Sequence, residues 1–214
     1  MPLETNALGF RYDRGAWLFR DLSLSLKDGE RTALLGESGA GKSTLARLLA
    51  GHEKPSQGRV LLDGAPFPRG YAPVQLISQH PEKAVNPRFT MRDVLEECGC
   101  RDRTLLDALG IDRSWLPRYP RELSGGELQR FCVARALSGA TRFLIADEAS
   151  AMLDPVTQAQ IWTVILSEAR TRGMALLVIT HDLPLARRLC ENALSVEDLK
   201  KSAGIAASAA PFHT

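Results

Sequence analysis

The chain has 214 residues, 44% hydrophobic and 24% charged, and 27 Lys and Arg against 25 Asp and Glu leave a formal charge of +2. This is ordinary globular usage in a chain long enough to bury a real core, and it excludes fibres and low-complexity polyelectrolytes. So small a charge leaves no electrostatic footprint for a nucleic-acid binder, and no nucleic-acid partner is expected.

In chain order, residues 8–12 and 22–26 alternate apolar with polar, a period of two that predicts half-buried strands suited to antiparallel pairing. A turn at Lys27-Asp28-Gly29-Glu30 leads to a short apolar strand, 32–35, which runs into a glycine-rich loop and a Leu- and Ala-rich helix over 43–50. Strands are expected at 59–62 and 74–77. From about 84 to 125 the texture changes to prolines and charges with helical patches at 91–98 and 104–109, read as an inserted helical subdomain. A helix follows at 126–137, then an apolar strand at 143–146 that ends in two acids. Pro155 suits the first turn of a helix reaching about residue 170. A strand at 175–179 and a helix at 185–190 complete the pattern. The alternation implies an α/β fold with a mainly parallel sheet and active residues at the strand C-termini. The main domain is expected over 1–200. The tail, 201–214, is Ala- and Ser-rich without periodicity and is expected to be disordered.

Apolar runs such as 174–179 fall far short of the roughly 20 residues that span a bilayer. Met1-Pro2-Leu3-Glu4 lacks the basic and apolar regions of a secretory leader. Cys98, Cys100, Cys132 and Cys190 show neither disulfide-scaffold nor zinc-finger spacing, so free thiols in a reducing cytosol are expected.

Three motifs carry chemistry. Gly36-Glu37-Ser38-Gly39-Ala40-Gly41-Lys42-Ser43 fits G-x-x-x-x-G-K-[ST] between an expected strand and helix. Its glycines let backbone N–H groups converge on a polyphosphate, Lys42 reaches the β- and γ-phosphates, and the Ser43 hydroxyl suits Mg²⁺. Next, the strand ending at Asp147-Glu148 delivers two carboxylates to the sheet edge. Asp147 there would hold Mg²⁺ through its water shell, and Glu148 would be general base for an attacking water. Last, Leu123-Ser124-Gly125-Gly126-Glu127 opens a helix with Ser124 as its N-cap, a second anion-binding start. One chain cannot bring both loops to one nucleotide if they lie on separate lobes, so the second would face a partner's nucleotide.

The Leu-Ser-Gly-Gly-Glu run followed by Leu128-Gln129-Arg130, with Asp147-Glu148 and Ser150-Ala151-Met152-Leu153-Asp154, resembles the ATPase domain of ABC transporters over about residues 8–196. The resemblance implies a RecA-like P-loop NTPase core with an antiparallel β subdomain and an inserted α-helical subdomain. It implies ATP and Mg²⁺ as ligands, with Tyr12 stacking on adenine and the 36–43 loop and Thr44 around the phosphates. It makes Gln79 the Q-loop residue near Mg²⁺ and the γ-phosphate, Asp154 the D-loop aspartate, and His181 the switch histidine beside Glu148. Ser124, Gly125 and Gly126 would then close over the ATP of a second ATPase subunit, a paralogue or a second copy. The further partners implied are two transmembrane permease subunits and an extracytoplasmic substrate-binding protein, with this chain peripheral on the cytoplasmic face of the membrane.

Finer features are similar to ATPases of dipeptide, oligopeptide and nickel importers: Gly36-Glu37-Ser38-Gly39, Ser43-Thr44-Leu45-Ala46-Arg47, Val85-Asn86-Pro87-Arg88 and Tyr119-Pro120-Arg121-Glu122-Leu123. Ala149, where most of the superfamily has proline, is closest to the nickel and metallophore branch. The stretch 64–79 is shorter than usual, and no C-terminal extension with a cysteine motif follows His181, so no iron–sulfur cluster is expected. A soluble ABC ATPase of a non-transport complex is the alternative of a different class.

Overall fold

The computed structural model describes residues 2–13, 15–67, 73–137, 139, 141–201 and 209–212. A three-stranded antiparallel sheet joins β1 (Leu3–Phe10), β2 (Phe19–Leu26) and β4 (Gln57–Leu62) in the order β2-β1-β4. Register is set by apolar pairs on one face: Leu3 lies opposite both Leu26 and Leu62, and Leu8 opposite Leu22. The register shifts between Asn6 and Gly9. There Gly58 has φ 72°, and a Cβ on it would stand 2.2 Å from the Ala7 carbonyl oxygen, so only glycine fits. Both early strands begin sooner than the alternation alone suggests, because Leu3 and Phe19 are buried partners in the same core.

The larger sheet contains β3 (Arg31–Leu35), β5 (Val74–Ile77), β6 (Phe143–Asp147), β7 (Ala175–Ile179), β8 (Asn192–Ser195) and β9 (Ala210–Pro211). Its order is β5-β6-β7-β3-β8-β9, parallel except for the last pair. Both faces are covered. Phe143 and Ile145 pack in one hydrophobic core with β1 and β2, while Leu144 and Ala146 pack in the other. That is why β6 and β7 read as unbroken apolar runs instead of alternating ones.

Helix α1 (Lys42–Leu49) buries Leu45, Leu48 and Leu49 against the first core. The inserted region forms α2 (Met91–Glu97) and α3 (Arg103–Ala108), with 3₁₀ turns at Pro81–Lys83, Arg113–Trp115 and Pro120–Glu122. Thr90 and Asp93 make a reciprocal capping box for α2, and Asp102 caps α3. Met91, Val94, Leu95 and Leu105 pack in one core with Leu128 and Phe131 of α4 (Gly125–Leu137). Helix α5 (Pro155–Arg172) runs two residues further than expected and stops at Gly173, whose φ of 62° forms a left-handed C-cap.

Helix α6 (Leu183–Leu189), capped by Asp182, begins two residues before the helix expected at 185–190, while β8 and the following α7 (Val196–Lys201) are too short to stand out in the sequence. Most of the tail expected to be disordered, 202–208 and 213–214, lies outside the described residues. Within it, Ala210 and Pro211 pair with Ala193 and Asn192 as an edge strand. Arg142 ties the two sheets together at the far end of β6. It forms ion pairs with Asp28, at 3.0 Å, and Asp63, at 2.6 Å.

Candidate active site

Because β3, β5, β6 and β7 run parallel, their C-terminal ends meet along one edge, and each delivers functional groups there. The chain leaves β3 through the 36–42 loop. Gly41 takes φ 104°, and a Cβ there would approach the Leu18 side chain to 2.9 Å, so the loop must carry glycine to turn into α1. Gly39, at φ 81°, faces open space. Lys42 Nζ donates to the Gly36 and Glu37 carbonyl oxygens at 2.7 and 2.8 Å, folding its ammonium over the loop. Helix α7 braces the loop from outside: Lys200 Nζ donates to the Ala40 carbonyl at 3.0 Å, and the Glu37 N–H donates to Glu197 at 3.4 Å.

The loop opens on a cleft of about 430 Å³ lined by Tyr12, Ser38, Gly39, Gly41, Lys42, Ser43, Thr44, Gln79, Asp147, Glu148 and His181, with Leu18 and Ile179. Tyr12 stands just beyond β1, 53% exposed, its ring edge-on to Phe10 at 4.9 Å. Its hydroxyl shares a 2.7 Å hydrogen bond with Thr44 Oγ1 and accepts from Arg47 at 2.9 Å. A flat aromatic surface is thus latched to the first turn of α1.

Asp147 ends β6 and is buried. Burial pushes its carboxyl up, against the opposing pull of the nearby Ser43 hydroxyl. Its Oδ1 has no hydrogen-bond partner among the described residues. Glu148 follows at φ 49°, left-handed for a non-glycine residue, and its N–H donates to the Ile179 carbonyl at 3.0 Å. His181 Nδ1 donates to Glu148 Oε1 at 2.9 Å, and that bond raises the histidine above its ordinary range. Glu148 Oε2 is buried without a partner. The orphaned Asp147 oxygen, with the Ser43 hydroxyl and the Gln79 amide oxygen lining the same cleft, makes a hard, all-oxygen donor set, which fits a divalent cation.

Gly36 and Ala40 belong to the loop but do not line the cleft. Ser124, Gly125, Gly126 and Asp154 lie apart from it. Ser124 and Glu127 cap α4 reciprocally, the Ser124 N–H donating to Glu127 at 2.8 Å and the Glu127 N–H to Ser124 Oγ at 3.2 Å. Asp154 caps α5 by accepting from the Val156 and Thr157 N–H groups, and the Thr157 hydroxyl first, then these N–H groups, hold its carboxyl below the usual range. Gly126 sits against Leu153, bringing these two helix starts side by side.

Leu18, Ile179, Arg47, Glu197 and Lys200 contribute to this site without having been singled out in the sequence. Only Arg47 had a local signal, three residues after Thr44 on the same helix face.

The family model described as ABC transporter matches residues 19–151, well over half of the chain. The chain belongs to the ABC transporter family. The nickel import ATP-binding protein NikE of Escherichia coli (strain K12) is 39% identical over 224 residues, covering 92% of this chain and 84% of its own. The NikE of E. coli O6:K15:H31 is 40% identical over 201 residues, covering 85% and 75%. Among solved structures, the ATP-binding cassette MJ0796 bound to ADP and Pi superposes with a TM-score of 0.79 at 22% identity, covering 99% of each chain. The Clostridium perfringens cbiO1, part of the ABC transporter complex cbiONQ, gives 0.71 at 26% identity over 90% and 83%. The fold is that of an ABC ATPase cassette, and the domain is an ATP-hydrolysing enzyme of this family.

Proposed function

We propose that this chain is the ATPase subunit of an ABC importer whose cargo is nickel, a metal–chelator complex or a di- or oligopeptide. The observation that carries the reading is the convergence of the phosphate loop, Asp147, the Glu148–His181 pair and Gln79 on one cleft. The relatives named for nickel import set the direction of transport and the first cargo to test.

In this reading Tyr12 stacks on adenine while Gly36, Ser38, Gly39, Ala40, Gly41 and Thr44 surround the phosphates. Lys42 exchanges its two carbonyl contacts for the β- and γ-phosphate oxygens, a charge-assisted gain that closes the loop on ATP. Ser43, Gln79 and Asp147 would hold Mg²⁺, which when bound neutralises developing phosphate charge. Glu148 takes the proton of the attacking water, while His181 holds its Oε1 in place. Gln79, just beyond β5, orients that water.

Ser124, Gly125, Gly126 and Asp154 serve the nucleotide of the second ATPase subunit, in keeping with their absence from the lining of this chain's own cleft. ATP bridging two subunits favours the closed pair, and loss of the γ-phosphate removes that differential contact. Permease subunits dock beside the insert. A second cavity of about 390 Å³, walled by Arg47, Lys83 and Arg135 and sharing Ser43, Gln79 and Asp147 with the nucleotide cleft, would offer them cationic groups beside that cleft. No helix among the described residues is long and apolar enough to cross a membrane, so the chain would be held at its cytoplasmic face by those subunits.

The test is affinity purification of the tagged chain from native membranes in mild detergent, with mass identification of what accompanies it. Two multi-spanning permeases, with or without a second ATPase and a substrate-binding protein, are expected. Recovery of soluble partners only would remove the transport reading and favour an accessory complex.

A further inference from the structure

The turn that follows Glu148 is held from α4 and from α5 by side chains that the reading above leaves without a role. On one side Gln129 of α4, 2% exposed, donates from Nε2 to the Ala149 carbonyl at 2.7 Å. On the other, Ser150 Oγ accepts from Gln158 Nε2 and Trp162 Nε1 of α5, each at 2.9 Å. Glu148 immediately precedes these two anchored residues in a left-handed conformation, which a residue with a side chain keeps only where its surroundings over-determine it.

Gln129 is an unfavourable way to fill core space. Its Oε1 is buried with no hydrogen-bond partner among the described residues, whereas Leu or Met would occupy similar volume with no unpaired oxygen. What the amide supplies is one donor aimed at one carbonyl, immediately after the residue that faces the reacting water.

We infer that Gln129 is a positioning residue that fixes the Glu148 turn through the Ala149 carbonyl, so that α4 sets where the Glu148 carboxylate lies. The inference rests on Glu148 being the general base. It also gives α4 a double task. The helix begins at Gly125 beside Ser124, and Gln129 follows Ser124 by five residues, about 7 Å along the axis.

The test is a double-mutant cycle on the purified full chain, using Gln129→Leu and Glu148→Gln with ATP turnover as the readout. Gln129→Leu is expected to lower kcat roughly 10- to 100-fold, the scale of a small misplacement of a reacting group. KM for ATP should stay unchanged, and Glu148→Gln should lose nothing more when Gln129→Leu is added. In the same variant the His181 imidazole should titrate closer to its ordinary range, because its carboxylate partner has moved. Gln129→Met keeps the unbranched shape and serves if the leucine variant does not fold. Wild-type kcat in either folded variant would overturn the inference. So would a KM rise matching the fall in kcat, or further loss in the Glu148→Gln background. Wild-type turnover by Glu148→Gln alone would remove the general-base reading and this inference with it. A dead Glu148→Gln beside a fully active Gln129→Leu removes only the inference.

Discussion

His181 and Glu148, 33 residues apart in sequence and carried by the ends of neighbouring strands, meet through a 2.9 Å bond from Nδ1 to Oε1. The geometry orients the carboxylate by one oxygen and leaves the other turned to the buried side of the cleft. One bond thus links the ring's charge to the state of the carboxylate.

The Glu148 bond raises His181 above its ordinary value of 6.5, so the imidazolium persists to higher pH in the folded chain than in the unfolded one. The sign follows: this pair's stabilisation is fully present below 6.5 and fades as pH rises through the raised folded value. Nuclear magnetic resonance titration of the His181 ring should show the raised midpoint in the wild type and its return toward 6.5 in Glu148→Gln. Equal midpoints in the two proteins would show that the bond does not form in solution.

Asp147 works in the opposite sense. Burial raises its carboxyl above the ordinary 3.8, so ionisation costs the metal-free fold stability as pH rises through the folded value. Asp147→Asn should therefore melt about 2–4 °C higher than wild type near neutral pH without nucleotide, the shift for roughly 1 kcal/mol in a domain of this size. Added Mg²⁺ and ATP should reverse the order, stabilising wild type more. Calorimetry with and without Mg²⁺ and ATP checks both halves, and a wild type that melts higher in each condition refutes the cost assigned to the buried charge.

How far the sequence carries the structure depends on burial and on neighbours in sequence. The strands β6 and β7 were legible because both faces are buried, and the phosphate loop because its glycines and Lys42 are contiguous. Helix α7 was not legible: six residues long, it is fixed by Val196 and Leu199 in the core and by Glu197 and Lys200 against the loop. Those contacts span 160 residues, which no local pattern encodes. The same holds for Arg142 between Asp28 and Asp63, and for Gln129, whose partner Ala149 comes from another element. Ser124 is legible as a helix cap, whereas the capping by Asp154 emerges only in the structure, and the role the resemblance implies for both needs a second subunit.

Arg142→Ala should destabilise the fold by about 1 kcal/mol, the scale of a partly exposed ion-pair network. The guanidinium holds Asp63 below its ordinary range by direct hydrogen bonding. Asp28 is raised by burial, but its bonds outweigh this and leave it lowered too. Carboxyls lowered in the folded state contribute stability above 3.8, and this is lost as pH falls through the folded values. Urea melts should show the wild-type advantage at pH 7 and its disappearance in strong acid. An advantage that survives acid would mean packing against Phe143, not charge, is what Arg142 supplies.

Tyr12 leaves its ring exposed beside the cleft, where adenine stacking is proposed, and turns its hydroxyl to Thr44 and Arg47. Tyr12→Phe should keep ATP affinity within about threefold, since the stacking face survives, whereas Tyr12→Ala should weaken it roughly tenfold, about 1.4 kcal/mol. Equilibrium binding of a fluorescent ATP analogue separates the two. Equal weakening in both variants would assign the contribution to the hydroxyl latch instead of the ring.

The most direct test of the central claim, that Glu148 activates water for ATP held in this cleft, is Glu148→Gln with Mg²⁺ and ATP. Turnover and molar mass by light scattering should be measured on the same sample. The expected result is turnover reduced at least about 1000-fold, ATP retained, and a mass that doubles and stays doubled because the bridging γ-phosphate is not removed. Turnover at the wild-type rate, with no ATP-dependent pair, would contradict the account.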